Sequence, residues 1–499
     1  MGDLFIDGSW VAAADGNTRE IRCPADGELV RCVDEATAID TVRAIEAARA
    51  SFEDGRWRSV PFSDRAQLLA RVADLLERDV DSIAWEESLD TGKRLVESEY
   101  DVADVARCFR YFAGLAGGDA VGGRVVDAGN PMVRSRIDYE PVGVCGLITP
   151  WNYPLLQASW KVAPALAAGN SFVLKPSELT PSTTIHLVRL LEEAGLPGGV
   201  ANLVLGAGAT AGAPLASHPE IDMVSFTGGL ATGRRIMAEA AGTVKKVALE
   251  LGGKNPNIVF ADADLDAAID NAVTAVFLHS GQVCSAGARL IVEESVHDRV
   301  VDGIVAAAER IRLGGPFDPR AETGPLISAA HREKVAAYVA AALDEGTILR
   351  CGGTAPDPVE HPSLAAGFYY RPTVLDGCRT DMTCVQDESF GPVLTVETFR
   401  DEAEAIRLGN DTMYGLAGAV WTSDAGRGER VASALRHGTV WINDYHPYLP
   451  QAEWGGFKQS GVGRELGPTG LHEYLEAKHV YRNLSPAPSG WFDGEGDEA

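Results

Sequence analysis

An α/β fold with two sheet-bearing domains and a small β-ribbon is predicted by three features of this chain. From residue 142 onward, short apolar runs, the mark of strands buried on both faces, alternate with helical stretches. A second region of the same kind begins near Gly252 and runs to about Gly456. Two stretches with period-two alternation, 123–127 and 132–139, lie before the first region and read as a ribbon outside the main core. With 499 residues, 45% of them hydrophobic, the chain is long enough for two cores and an appendage.

In chain order, 36–54 and 63–90 read as amphipathic helices, the second carrying Leu68, Leu69, Val72, Leu75 and Leu76 at helical spacing. A further helix runs from about Glu97 through Ala113. The strands 143–148, 171–174, 201–205 and 223–226 then alternate with helices at 156–168, 182–194, about 211–216 and from 230, which calls for an open, mostly parallel sheet. The second region carries helices at 264–277, 297–311 and 329–344 and a strand at 289–292. The expected organisation is one domain from 1–119 and 141–251, a second from 252–456, a bridging element from 120–140 and 469–483, and an acidic, Gly/Pro-rich tail from 484–499 that is expected to fray.

Charge excludes several functions. Lys plus Arg number 44 against 71 Asp plus Glu, a formal net charge of -27, so phosphate backbones and anionic membranes are repelled and neither nucleic acid nor membrane is an expected partner. The excess gives a self-repelling surface and favours the approach of a cationic substrate. The amino terminus has neither the basic nor the apolar region of a signal peptide, and no apolar run is long enough to span a bilayer. The 8 cysteines are scattered, without a CxxC pair or zinc spacing, so no metal is expected and a reducing cytoplasm is.

Chemistry concentrates in a few segments. Glu250 lies among apolar neighbours before Gly252-Gly253, and Cys284 follows in a glycine-bracketed turn, Gly281-Gln-Val-Cys-Ser-Ala-Gly287. A thiolate nucleophile and a general base together can form a covalent intermediate on a carbonyl and hydrolyse it. Phe226-Thr-Gly-Gly-Leu-Ala-Thr-Gly233 sits between a strand and a helix, where Gly228 and Gly229 let backbone amides approach a pyrophosphate. No Gly-Lys-Ser/Thr follows it, which disfavours ATP hydrolysis. Lys175-Pro-Ser-Glu178 closes another strand, where a Lys/Glu pair can hold the hydroxyls of an adenosine ribose and Glu178 repels a 2'-phosphate, favouring NAD over NADP. Thr149-Pro-Trp-Asn-Tyr-Pro154 is a rigid turn whose Asn152 can donate to an oxyanion without carrying charge. Each has a plainer reading: a buried thiol, tight packing, a surface ion pair, an Asx-turn.

Taken together and in this order, Trp151-Asn152, 175–178, 226–233, 250–254, 281–284, 388–392 and 456–461 resemble the aldehyde dehydrogenase superfamily over nearly the whole chain. The resemblance implies a Rossmann-type NAD-binding domain, an α/β catalytic domain and a β-ribbon that joins subunits into a homodimer or homotetramer. By this similarity Cys284 is the nucleophile and Glu250 the base, Asn152 with the Cys284 amide forms the oxyanion hole, and Lys161 lies in the same neighbourhood. The implied cofactor contacts are Ile148, Thr149, Pro150, Trp151, Lys175, Ser177, Glu178, Phe226, Thr227, Gly228, Gly229, Thr232, Gly233 and Leu251. To these it adds Glu388 at the nicotinamide ribose and Phe390 against the nicotinamide. The implied reaction is NAD-dependent oxidation of an aldehyde to its acid through a thiohemiacetal and a thioester on Cys284.

The substrate is read from the expected tunnel. Tyr153, Trp160 and Trp454 supply aromatic faces, while Tyr100, Asp101 and Asp104 sit on a helix that lines the tunnel in relatives. Aromatic rings with carboxylates suit a quaternary ammonium or amino group. This set, with the segment 443–452, resembles the branch of the family that acts on betaine aldehyde and aminoaldehydes. The plainer reading makes these residues packing and a solvated helix face. Alternatives are an aldehyde dehydrogenase for neutral or semialdehyde substrates, a CoA-acylating relative, which Glu250 argues against, and a non-enzymatic protein on the same fold, which the intact Cys284, Glu250 and Asn152 argue against. His279 departs from the family's usual apolar or small polar residue and is expected to be a satisfied structural histidine.

Overall fold

The computed structural model describes residues 2–118 and 122–492; residues 120 and 121 of the expected bridging element and 493–499 of the expected tail lie outside the described residues. Its largest sheet has five parallel strands at the centre, in the order Lys246–Glu250, Met223–Thr227, Val144–Ile148, Ser171–Lys175 and Ala201–Leu203. The middle three are buried at every position, which is why they read as continuous apolar runs. The chain steps outward from Val144–Ile148 through Ser171–Lys175 to Ala201–Leu203, then restarts on the other side with Met223–Thr227. Strand order therefore reverses between Val144–Ile148 and Met223–Thr227, and the carboxyl ends flanking that reversal form the crevice where open α/β sheets hold ligand. Antiparallel strands finish both edges: Leu4–Ile6 with Ser9–Val11 on one, and Gly461–Val462 on the other.

A second sheet of seven strands runs Ile348–Cys351, Thr373–Asp376, Val393–Phe399, Arg289–Glu293, Pro256–Val259, Ala417–Trp421 and Thr439–Ile442, parallel apart from its first pair. A three-stranded antiparallel sheet pairs Val133–Pro141 along its whole length with Leu475–Asn483 and, on its other side, with Arg124–Val126.

Two local departures from the sequence reading have physical reasons. The helix expected over 63–90 is two helices, Phe62–Arg78 and Val80–Thr91, broken at Asp79. Arg78 pairs with Asp79 and with Glu193, so the break docks this corner on the end of helix Ser182–Glu193. It also turns Glu87 and Asp90 inward to accept hydrogen bonds from Thr183 and Ser182. Residues 469–473, expected in the bridging element, belong to the helix Gly467–Glu473, which packs on helix Pro154–Ala168 with Leu471 buried.

Helix Pro154–Ala168 is buried at every position and begins with proline, whose missing N–H would have been unpaired at a first turn. It fixes the turn before it, and with it Trp151, Asn152 and Tyr153, over the carboxyl ends of the first sheet. No helix among the described residues is long and apolar enough to cross a membrane.

Candidate active site

A cavity of about 620 Å³ occupies the crevice at the strand reversal. Ile148, Thr149, Pro150 and Trp151 line it from one strand end, Lys175, Ser177 and Glu178 from the next, and Phe226, Thr227, Gly228, Gly229 and Thr232 from the third. Gly229 caps helix Leu230–Ala240, so the free amides of that helix end open on the cavity. Lys175 Nζ lies 3.5 Å from Glu178 Oε2, with the lysine buried and the carboxylate partly exposed. These features fit a nucleotide: a carboxylate where hydroxyls are to be held, glycines where backbone must come close, and a helix amino end for phosphate. Gly233 does not line the cavity; it lies behind, where a side chain would strike Leu251.

Pro150, Trp151, Thr227, Gly228 and Gly229 are shared with a second cavity of about 240 Å³, lined also by Asn152, Gln157, Glu250, Leu251, Cys284, Glu388 and Phe390. The residues predicted at the two ends of a dinucleotide therefore flank one continuous crevice. Asn152 is buried, and its Nδ2 donates 2.8 Å to the Gln282 carbonyl, leaving its second N–H for another acceptor. Glu388 Oε1 accepts from the Gly253 amide at 2.9 Å. Glu250 ends its strand, and its carbonyl accepts from the Gly228 amide at 3.0 Å, tying this carboxyl-bearing residue to the glycine turn.

Cys284 and Gln157 line both this cavity and a third, of about 370 Å³, on the far side. Cys284 is half-buried, whereas Cys32 is exposed and the other six thiols are buried. Burial first, then the charges of Glu388 and Glu250, push its thiol up to about 12, so the resting sulfur is protonated at neutral pH. Glu250 is buried with Oε2 unpartnered; burial first and then the neighbouring Glu465 hold its carboxyl well above the ordinary carboxylate range. With the thiol and the carboxyl both biased toward their neutral, protonated forms, each must lose its proton before the sulfur can add to a carbonyl or the carboxylate can accept a proton. Glu388 is similarly raised by burial, to about 7.

The turn carrying Cys284 depends on Gly281, whose φ is +71°; an added Cβ would also lie 2.2 Å from the Gly391 carbonyl. Gly281→Ala is expected to cost about 2–4 kcal/mol, combining left-handed strain with a backbone clash. Its urea midpoint should fall well below that of the parent; an unchanged midpoint would show that the turn can relax.

Lys161 lines none of the three cavities. It is buried below them, donating to Ser225 Oγ at 3.1 Å, to Thr227 Oγ1 at 2.8 Å and to Glu465. Glu465, which the sequence reading did not single out, thereby links Lys161 to the surroundings of Glu250.

The third cavity holds Tyr100, Asp101, Asp104, Tyr153 and Trp160, together with Tyr448, His446 and His279. Trp454 does not line it: Trp454 packs edge-on behind Tyr448 at 5.0 Å and Trp160 at 6.2 Å. One face of Tyr153 is covered by Lys93, whose Nζ lies 4.4 Å from the ring centroid and 2.6 Å from Asp101. The aromatic wall of the cavity is thus Trp160 and Tyr448, with Tyr153 backed by Lys93. Asp104 pairs with Arg107, and Tyr100 is exposed. His279 is not the satisfied histidine expected: it is buried, both ring nitrogens lack hydrogen-bond partners among the described residues, and burial holds its imidazole neutral.

Sequence reasoning missed His331 and Lys334 on the wall of the 240 Å³ cavity and Lys93 on the wall of the tunnel. The first two are an i, i+3 pair on helix Ala329–Asp344, a pattern indistinguishable in sequence from an ordinary surface face.

Known proteins with this arrangement are close. The sequence profile of the Aldehyde dehydrogenase family matches residues 10–480. The chain is 56% identical over 490 residues to a betaine aldehyde dehydrogenase of Bacillus subtilis (strain 168), covering 98% of this chain and 99% of that protein. It is 44% identical over 493 residues to the peroxisomal aminoaldehyde dehydrogenase 2 of Malus domestica, covering 98% of this chain and 97% of that one. The crystal structure of betaine aldehyde dehydrogenase from Staphylococcus aureus in complex with NAD+ superimposes with a TM-score of 0.96 at 50% identity, covering 98% of this chain and 96% of the other. With seven motifs in order, the crevice at the strand reversal and the Cys284 turn opening on it, the chain belongs to the aldehyde dehydrogenase family.

Proposed function

We propose that this protein oxidises an aldehyde bearing a quaternary ammonium group, with betaine aldehyde as the reference substrate, to its carboxylic acid, using NAD. The observation that carries the reading is the position of Cys284 between a nucleotide crevice and a separate cavity walled by Trp160 and Tyr448 and edged by Glu97, Asp101 and Asp104. Glu97, Asp101 and Asp104 are paired with Arg94, Lys93 and Arg107, so cationic substrate is drawn by the acidic surface as a whole, with its net charge of -27, and is held on the rings. The relatives named for betaine aldehyde support the choice.

In this mechanism Cys284 releases its proton to solvent and its sulfur adds to the carbonyl carbon, and the oxyanion is held by the free N–H of Asn152 with the Cys284 amide. When bound, NAD supplies the hydride acceptor; Lys175, Glu178, the Gly228-Gly229 turn, Glu388 and Phe390 would hold it. Glu250 then takes a proton from water, which attacks the thioester on Cys284 and releases the acid. Lys161 pairs with Glu465 beside Glu250, and Trp454 supports Tyr448 and Trp160 from behind.

We assign 1–119 with 141–251 to cofactor binding and 252–456 to catalysis. The antiparallel sheet of 124–126, 133–141 and 475–483 leaves two strand edges open and exposes Val125 and Tyr481, which supports a homodimer or homotetramer joined there. Free thiols throughout support a cytoplasmic setting.

The test is a paired panel. kcat/KM for betaine aldehyde should exceed that for an uncharged aldehyde of equal length by about tenfold or more, with NAD preferred to NADP. Tyr448→Ala should erase most of that advantage, since a desolvated cation–π contact is worth about 2 kcal/mol. Equal kcat/KM for charged and neutral substrates would reject the cationic assignment.

A further inference from the structure

Phe390 is the single non-glycine residue lining the 240 Å³ cavity whose backbone is left-handed, with φ of +53°. That conformation is disfavoured for any residue with a side chain and persists where surrounding contacts impose it. The contacts are specific. His331 Nε2 lies 2.7 Å from the Phe390 carbonyl, which can only accept, so the ring nitrogen is the donor. Three residues along the same helix, Lys334 Nζ donates at 3.4 Å to the Glu388 carbonyl. Between these grips the loop presses on the helix so closely that a Cβ on Gly391 would lie 2.6 Å from Val335.

The same imidazole reaches the opposite wall. Trp151 meets His331 edge-on at 5.4 Å and Phe390 edge-on at 5.3 Å, and the next residue in the chain is Asn152. One half-buried side chain thus joins the loop carrying Glu388 and Phe390 to the turn carrying Asn152. Burial holds the His331 imidazole down at about 4, so it is neutral under working conditions and keeps its N–H on the nitrogen that the carbonyl requires.

We propose that His331 is a positioning residue that clamps Phe390 in its left-handed conformation and, through Trp151, sets the Glu388–Phe390 loop against the Asn152 turn; the consequence for cofactor rests on the NAD reading above. No chemistry is asked of His331 itself: it moves no proton and touches no reacting atom. Its side chain acts by denying the loop its relaxed backbone.

The test compares His331→Ala with His331→Gln, whose amide N–H can reach the same carbonyl, on the full-length protein. Without cofactor, amide hydrogen exchange across 386–392 should be at least tenfold faster in His331→Ala and return to within about threefold of the parent in His331→Gln. Calorimetric titration with NAD in the absence of aldehyde should show at least tenfold weaker binding for His331→Ala only, with a thermal midpoint little changed. Parent-like exchange in His331→Ala, or exchange in His331→Gln as fast as in His331→Ala, overturns the clamp. If the parent itself fails to bind NAD, the cofactor reading falls, and the exchange result still decides for or against the clamp.

Discussion

Cys284→Ala is expected to lower steady-state oxidation of betaine aldehyde by about 10,000-fold or more while NAD binding stays within about threefold of the parent. The two halves of the prediction come from different parts of the structure. Cys284 lines both the cofactor-side and the aldehyde-side cavities, so it is placed where a thiol can meet a substrate carbonyl beside bound cofactor. It does not line the 620 Å³ cavity, where Lys175, Glu178 and the Gly228-Gly229 turn lie, and removing it leaves those contacts intact. Replacing a half-buried thiol by a methyl group also leaves no buried polar atom unpaired, so the fold should tolerate it. Cys32→Ala, at the exposed thiol far along the chain from any of these segments, is the control and should keep full activity. Kinetics alongside calorimetric NAD titration decide the matter: turnover above one per cent of the parent in Cys284→Ala would remove the sulfur from the reaction.

How much of this could be read before the structure depended on whether a residue's partners were local in sequence. The strands 144–148, 171–175 and 223–227 were legible because burial on both faces leaves an apolar run, and the glycine turn after Thr227 was legible because close backbone approach demands a residue type. Asn152, Glu250 and Cys284 stand out through the rigid or glycine-bracketed segments that carry them. The tunnel was less legible. That Lys93 covers Tyr153 depends on Asp101 and Glu87 converging on one ammonium, eight and six residues away along two helices meeting at a turn, and no period in the sequence announces it. Trp454 was an equally reasonable wall residue until Tyr448 and Trp160 were found in front of it. His279 looks structural because most buried histidines find partners, yet its backbone is left-handed, φ +47°, and neither ring nitrogen has a hydrogen-bond partner among the described residues. His331 could not be found at all, since what marks it is the conformation of Phe390, 59 residues downstream.

The second large effect separates the two chemical steps. Glu250→Gln keeps the shape of the side chain and removes its basicity, so addition by Cys284 and oxidation to the thioester should survive while hydrolysis slows by about 1,000-fold. Mixing this variant with excess NAD and betaine aldehyde should give about one NADH per active site and then almost none, with intact-mass analysis showing the acyl group held on Cys284. The pH dependence of the parent follows from the same carboxyl. Its pKa lies well above the ordinary range, because burial and Glu465 both disfavour the charged form. Below that pKa the carboxyl is protonated and cannot take a proton from water; above it the base is available, so thioester hydrolysis should accelerate as pH rises and fail as pH falls. Glu388, raised to about 7, also titrates but belongs to the cofactor side, so the step that changes tells them apart. If Glu250 governs, lowering the pH increases the NADH burst relative to the steady rate, because acyl-enzyme accumulates. If Glu388 governs, burst and steady rate decline together. A Glu250→Gln variant that hydrolyses the thioester at the parental rate, or shows no burst, would assign the base to another group.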